Sequence, residues 1–256
     1  MGGGGFTMNE RTPALDRFVL ELTRKPVPKI CFLPTASGDP REQVTRFYER
    51  FGGWPCVTSN LSLFHLGRDR IDPIELLLGQ DAIYVGGGSM RNMLAIWREH
   101  GIDGAMRTAW ERGIVLAGLS AGAMCWFDGG VSMSGGAPEA VAGLGFLPGS
   151  LSVHLGSDVE RLPTYRAAVA SGDLPPGYAA DDGAAVLFTG THLAECVASH
   201  RGARVVRVTP DGAGGVTEHQ LHMRLLPYAE GAQENRAESD GVAELRALRA
   251  GRRRWD

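Results

Sequence analysis

No apolar run in the sequence approaches the roughly 18 residues of a membrane-spanning helix. The opening residues, Met1-Gly2-Gly3-Gly4-Gly5-Phe6, carry neither a basic n-region nor an apolar h-region, so no secretory signal is expected. Cysteine is scarce. Cys31, Cys56, Cys125 and Cys196 lie far apart with no C-x-x-C spacing. Reduced thiols and a cytoplasmic location fit this spacing better than a disulfide framework or a zinc site. Positive charge is not in surplus: 26 Lys and Arg stand against 29 Asp and Glu, for a net charge of −3. Neither nucleic acid nor an anionic membrane is therefore an expected partner. Phosphate-binding fingerprints are missing too. Gly86-Gly87-Gly88-Ser89 is followed by Met90 and Arg91 rather than Lys-Ser or Lys-Thr, and Met93 stands where G-x-G-x-x-G needs its last glycine.

Glycine is what the chain has in plenty, 36 of 256 residues, about twice the usual ~7%. With no collagen period, these glycines mark tight turns and close backbone approaches. Between them, apolar runs alternate with helical patterns. Pro28–Pro34, Val57–Leu63, Asp81–Val85 and Ile114–Gly118 read as strands; Arg41–Phe51, Met90–Glu99 and Asp103–Arg112 read as helices. This β-α-β-α rhythm predicts a parallel sheet covered on both faces. After residue 180 the short strands Ala184–Phe188, Leu193–Val197 and Ala203–Val208 predict an antiparallel extension of the same domain. Residues 1–229 are expected to form one α/β domain. Residues 230–256, polar and ending in Gly251-Arg252-Arg253-Arg254, are expected to form a frayed or weakly helical tail.

Gly118-Leu119-Ser120-Ala121-Gly122 matches G-x-S-x-G. It follows an apolar strand and opens a helix-like stretch, Ala121–Phe127, the strand–turn–helix of a nucleophile elbow. Small residues on both sides allow the strained turn that exposes the serine. The following helix N-terminus offers free amides where an oxyanion would form. Gly86–Ser89 ends a neighbouring parallel strand at the same sheet edge, so its amides can complete an oxyanion hole with that of Ala121.

Serine needs a base. Among His65, His100, His154, His192, His200, His219 and His222, His154 has the strongest claim, because it ends the short strand Leu151-Ser152-Val153 and precedes a polar helical segment, Ser157–Arg161. A third group must hold the imidazole's tautomer. Asp128, Glu139, Asp181 and Asp182 are the candidates, and spacing alone does not choose among them.

The ordered set Phe32-Leu33-Pro34-Thr35-Ala36-Ser37, Val85–Ser89, Gly118–Ala123, Leu147–Ser150 leading to His154, Arg161 and Tyr165, and Ala180-Asp181-Asp182-Gly183-Ala184-Ala185 resembles the peptidase E family, with cyanophycinase a more distant relative. The likeness runs from the N-terminus to about residue 210. It implies a class I glutamine amidotransferase-like (flavodoxin-like) three-layer α/β sandwich. It implies a serine dipeptidase, typically cleaving Asp-Xaa, that uses neither metal nor organic cofactor. Carried over by motif, Ser120 would be the nucleophile and His154 the base, with the amides of Gly88 and Ala121 as the oxyanion hole. Gly2–Phe6 would match the loop after the family's first strand. The chain departs from the family pattern at Ser89-Met90, where members often carry Asn-Thr. It departs again at Met133, at the place of an Asp in the hairpin after the nucleophile helix. Relatives with a Ser-His-Glu arrangement point to Glu139 as the substitute acid.

The expected partner is a small peptide, and a homodimer is left open. An acidic substrate side chain would call for a cation, for which Arg91, Arg161 and Arg166 are the candidates. Three other readings stay in view: an esterase ordered Ser120, Asp181 or Asp182, then His219 or His222; a binding protein that has lost its acid; and a thiol enzyme using Cys125.

Overall fold

The computed structural model describes residues 1–8, 13–66 and 71–227. The expected tail from residue 230 lies outside the described residues. Four strands, β1 (Lys29–Leu33), β2 (Val57–Asn60), β3 (Ala82–Val85) and β4 (Val115–Gly118), form a parallel sheet in the order β2-β1-β3-β4. Alternation along the central strands explains why both faces are covered. Ile30, Phe32, Ala82 and Tyr84 point into one apolar cluster, while Cys31, Leu33, Ile83 and Val85 point into another.

The first cluster is aromatic. Phe6 meets Phe32 edge-on at 5.0 Å between ring centroids, and Phe32 stacks on Phe47 of helix α2 (Arg41–Phe51) at 5.3 Å. Helix α1 (Ala14–Leu22) precedes this sheet in the chain, and α3 (Pro73–Leu78) lies between β2 and β3. The second cluster takes Met90, Met93, Leu94 and Trp97 from α4 (Met90–Glu99) and Ile102, Met106 and Ala109 from α5 (Ile102–Glu111). Both helices lie within a residue of the bounds expected from periodicity.

After β4 comes α6 (Ala121–Met124), a single turn. The helix-like reading to Phe127 is too long, because Phe127 already opens β5 (Phe127–Ser132), whose Gly129 and Gly130 pair with β7 (Leu147–Val153). β6 (Glu139–Ala142) folds back on β5 as a hairpin, and α7 (Arg161–Ser171) leads to β8 (Gly177–Ala180). The predicted helix at 157–161 begins only at Arg161. These strands join β11 (Val205–Pro210) and β12 (Val216–Gln220) in a mixed sheet ordered β12-β11-β8-β7-β5-β6. A third sheet, β13-β10-β9, contains β9 (Ala184–Thr189), β10 (His192–Ala198) and β13 (Met223–Leu225). Antiparallel pairing of β9 with β10 and of β11 with β8 and β12 bears out the antiparallel extension. The whole is the expected α/β fold of parallel and mixed sheets with flanking helices.

Two alignments position the site. In the parallel sheet, Val85 pairs with Gly118, so the Gly86–Ser89 loop and Ser120 leave the same edge. In the mixed sheet, Val153 pairs with Ala180, so the residues after β7 and after β8 emerge side by side.

Candidate active site

Ser120 sits between β4 and α6 at φ 51°, ψ −119°, a backbone conformation that few residues with a Cβ adopt. The flanking glycines are required by close approach. A Cβ on Gly118 would overlap the carbonyl of Gly122, and one on Gly122 would lie 2.5 Å from Val85 O and 2.7 Å from Gly86 O. The turn therefore packs directly on the Gly86 loop, and an ideal Cβ on Gly87 would stand 3.2 Å from Ser120 Cβ.

His154, itself at φ 58°, leaves the end of β7 and brings Nε2 to 3.0 Å from Ser120 Oγ. Its Nδ1 lies 2.5 Å from Asp182 Oδ1. With Nδ1 protonated toward the carboxylate, Nε2 is the acceptor for the serine hydroxyl; this tautomer follows from the hydrogen-bond pattern. The bond from His154 holds the Asp182 carboxyl below the usual carboxylate range, against the opposing effect of partial burial, and Ser157 and Arg161 act in the same direction as His154.

Several groups fix Asp182. Ser157 Oγ donates to its Oδ2 at 2.6 Å, and His200 Nε2 donates to its backbone carbonyl at 3.2 Å. Gly3 bridges to Asp182 in parallel fashion, and the Gly183 amide donates to Gly3 O at 3.1 Å. A side chain at position 3 would strike Asp182 Oδ1 and come within 2.9 Å of His154 Cε1.

The acid at His154 is thus Asp182, and the Glu139 expectation is corrected. Glu139 opens β6, on the far side of β5 from β7, and its Oε2 pairs with Arg91 at 2.8 Å. Asp128 lies in β5, where its Oδ2 accepts the Gly149 amide at 2.8 Å. Asp181 points the other way from its neighbour, to the backbone amide and guanidinium of Arg204 at 3.0 and 3.1 Å. His219 lies on β12 at the far edge of the mixed sheet, with Glu218 beside it bonded to Arg166 at 2.6 Å. Arg161 is buried and spoken for by Asp158 and Val131 O, each at 3.0 Å, which leaves Arg91 the most exposed of the three cation candidates. Cys125 is buried beneath the elbow, its thiol donating to Gly122 O at 3.2 Å, and burial pushes its pKa well up.

The sequence reading missed Ser157, His200 and Gly3 as neighbours of the acid. Only Gly3 carried a signal, in a glycine run with no turn of its own to explain it.

Of the two oxyanion-hole candidates, Ala121 follows Ser120 in the chain and Gly88 follows Gly87, which packs on Ser120. Ala121 is the first residue of α6, where an amide has no carbonyl one turn back to bond. Gly88, at φ 139°, is pressed against the Ala36 carbonyl with no room for a side chain. Its amide donates to no backbone carbonyl among the described residues. Among those residues there is also no group of three or more His, Cys, Asp or Glu side chains placed to hold a metal ion, and no helix long and apolar enough to cross a membrane.

Comparison with known proteins gives the family and the fold. The model of Peptidase family S51 matches residues 1–196. The chain is 43% identical over 227 residues to the uncharacterized peptidase YgaJ of Bacillus subtilis strain 168, covering 89% of this chain and 95% of that protein. Among solved structures, a peptidase from an acI-B1 actinobacterium superposes with a TM-score of 0.62 at 19% identity, over 87% of this chain and 92% of the other, a likeness of fold.

Proposed function

The chain belongs to peptidase family S51 and is a serine peptidase by that membership, and from this premise we propose that it cleaves dipeptides and other short peptides with Ser120, His154 and Asp182 as its catalytic triad. The observation that carries the reading is the unbroken line from Ser120 Oγ through both ring nitrogens of His154 to Asp182, at 3.0 and 2.5 Å.

In this reading Ser120 Oγ attacks the peptide carbonyl while its proton passes to His154 Nε2. The carbonyl π electrons move onto oxygen, and the amides of Gly88 and Ala121 stabilise the resulting oxyanion. Collapse of the tetrahedral intermediate breaks the C–N bond, and the imidazolium returns its proton to the departing amine. Water, deprotonated by His154, then attacks the acyl-serine ester, releasing the carboxylic product and restoring the hydroxyl. Asp182 keeps Nδ1 protonated and stabilises the imidazolium each time it forms.

Arg91 supports a preference for an acidic residue on the acyl side. It lies in the first turn of α4, two residues after the Gly88-Ser89 turn, and is half-exposed. The reading of a binding protein without an acid rested on Met133, and Asp182 beside His154 removes that ground.

Steady-state hydrolysis of Asp-Xaa, Asn-Xaa and Ala-Xaa dipeptides, with labelling by a fluorophosphonate, tests the proposal. Ser120→Ala is expected to lose turnover and labelling while keeping its circular dichroism. Retained turnover in that variant would overturn the mechanism. Arg91→Ala is expected to lower kcat/KM for Asp-Xaa toward that for Asn-Xaa.

A further inference from the structure

Arg91 and Glu139 form an ion pair, Arg91 Nη2 to Glu139 Oε2 at 2.8 Å. Its two ends come from opposite sides of the candidate site. Arg91 lies in the first turn of α4, just beyond the Gly86–Ser89 loop that follows β3. Glu139 opens β6 and pairs with Ser132 at the end of β5. Gly130 of β5 pairs with Leu151 of β7, so Ser132, two residues on, stands level with Val153, and Val153 pairs with Ala180. Glu139 therefore sits in the row of residues after which His154 emerges, two strands away, roughly 10 Å at the usual strand spacing. The pair joins the loop that carries Gly88 to the strand edge that carries His154.

The pairing is incomplete. Glu139 Oε2 meets Arg91, but Glu139 Oε1 is buried with no hydrogen-bond partner among the described residues. A carboxylate oxygen held out of water without a donor is destabilising. The β5–β6 hairpin contributes to that burial: an ideal Cβ on Gly135 would come within 2.8 Å of Oε1, so the turn leaves room for the carboxylate only as glycine. Arg91 is the more exposed member, at 57% against 34%, and no other acid pairs with it among the described residues. A guanidinium can grip a carboxylate with two parallel bonds. Glu139 engages through one oxygen and leaves that capacity unused.

We propose that Glu139 is a built-in surrogate for an acidic substrate side chain: it occupies Arg91 in the free protein, and the carboxylate of an acidic acyl-side residue displaces it. Glu139 is thus a specificity-determining residue that acts through Arg91 and takes no part in bond breaking. The inference rests on the peptidase reading and on Arg91 as the cation that recognises an acidic residue. The exchange keeps the number of ion pairs constant, since one carboxylate leaves the guanidinium as another arrives. What the substrate gains is the difference between a two-point and a one-point contact, together with the release of Oε1 to water. A neutral acyl-side residue displaces nothing and leaves the pair closed. The surrogate therefore weakens binding of acidic substrates alone, and narrows the preference that an unoccupied Arg91 would create.

The test is a double-variant cycle in the full chain, assayed on Asp-Xaa and Ala-Xaa dipeptides. Glu139→Gln is expected to lower KM for Asp-Xaa about threefold, with kcat within about twofold and KM for Ala-Xaa unmoved. In an Arg91→Ala chain the same change is expected to move KM for Asp-Xaa by no more than about 1.5-fold. An equal fall in both backgrounds would overturn the inference, because it would reflect only the loss of one negative charge. So would an unchanged KM in the parent background, or a fall shared by Ala-Xaa, as a merely structural role would give. A parent chain that hydrolyses no dipeptide would instead count against the peptidase reading. Calorimetric binding of free aspartate, with alanine as control, then runs the same cycle, and no binding, or a Kd unmoved by Glu139→Gln, would end the inference as well. Should Glu139→Gln fail to fold, Glu139→Thr, a residue suited to a strand, takes its place with the same expected outcomes.

Discussion

Ser120 and its two glycines illustrate how tightly single positions are specified. The serine holds a left-handed backbone conformation that is held in place by contacts around it. Gly122 lies against Val85 O and Gly86 O, so Gly122→Ala is expected to destabilise the fold by about 3 kcal/mol, measured as a lowered urea midpoint against the parent chain. The two acids separate cleanly at this scale. Asp182→Asn keeps the size of the side chain but favours the wrong imidazole tautomer, and kcat should fall by about 10⁴-fold. Glu139→Gln, which only weakens a half-exposed pair with Arg91, should leave kcat within about twofold. If the two variants lose activity equally, the assignment of Asp182 is wrong.

Acid titration belongs to the same residue. The pKa of Asp182 is depressed in the folded chain. Its contribution to stability is therefore complete above the ordinary carboxylate value and is lost as pH falls through the depressed one. Urea unfolding of the parent and of Asp182→Asn should differ most at neutral pH and converge in acid.

Secondary-structure elements account for what could and could not be read in advance. The elbow was legible because strand, turn and helix are contiguous, and G-x-S-x-G states its steric demands locally. α4 and β1 were legible because their apolar periods are strong and their neighbours cover both faces. Asp182 was not, because its position depends on β8 lying parallel to β7 with Ala180 beside Val153. That long-range pairing brings the residues after the two strands together across 28 positions of sequence. Nor does the Asp181-Asp182 pair announce which carboxylate turns toward His154 and which toward Arg204. The elbow helix was overestimated because the pairing of Gly129 and Gly130 with β7, also non-local, ends it early. Asp128 shows the bland role an acid can play in the same sheet. Removing its bond to the Gly149 amide with Asp128→Ala should cost about 1 kcal/mol and leave kcat unchanged, as paired thermal melts and assays would record.

At the scale of the whole molecule, the proposed nucleophile and its proposed base come from different sheets: Ser120 follows β4 of the parallel sheet, and His154 and Asp182 follow β7 and β8 of the mixed one. The proposed proton transfer therefore depends on how the two sheets are docked, and backbone bonds of Met1 to Gly118 and Ser120, of Gly2 to Ala184 and of Gly3 to Gly183 tie the two edges together beside the side-chain packing. In a urea titration, peptide hydrolysis is expected to fall at lower denaturant than ellipticity at 222 nm. Coincident curves would show that docking and secondary structure are lost as one. On the proposed mechanism the seryl hydroxyl is also a gauge of tertiary integrity: the rate at which it is phosphonylated is expected to fall as soon as the two sheets lose the alignment that sets His154 Nε2 at 3.0 Å from Ser120 Oγ.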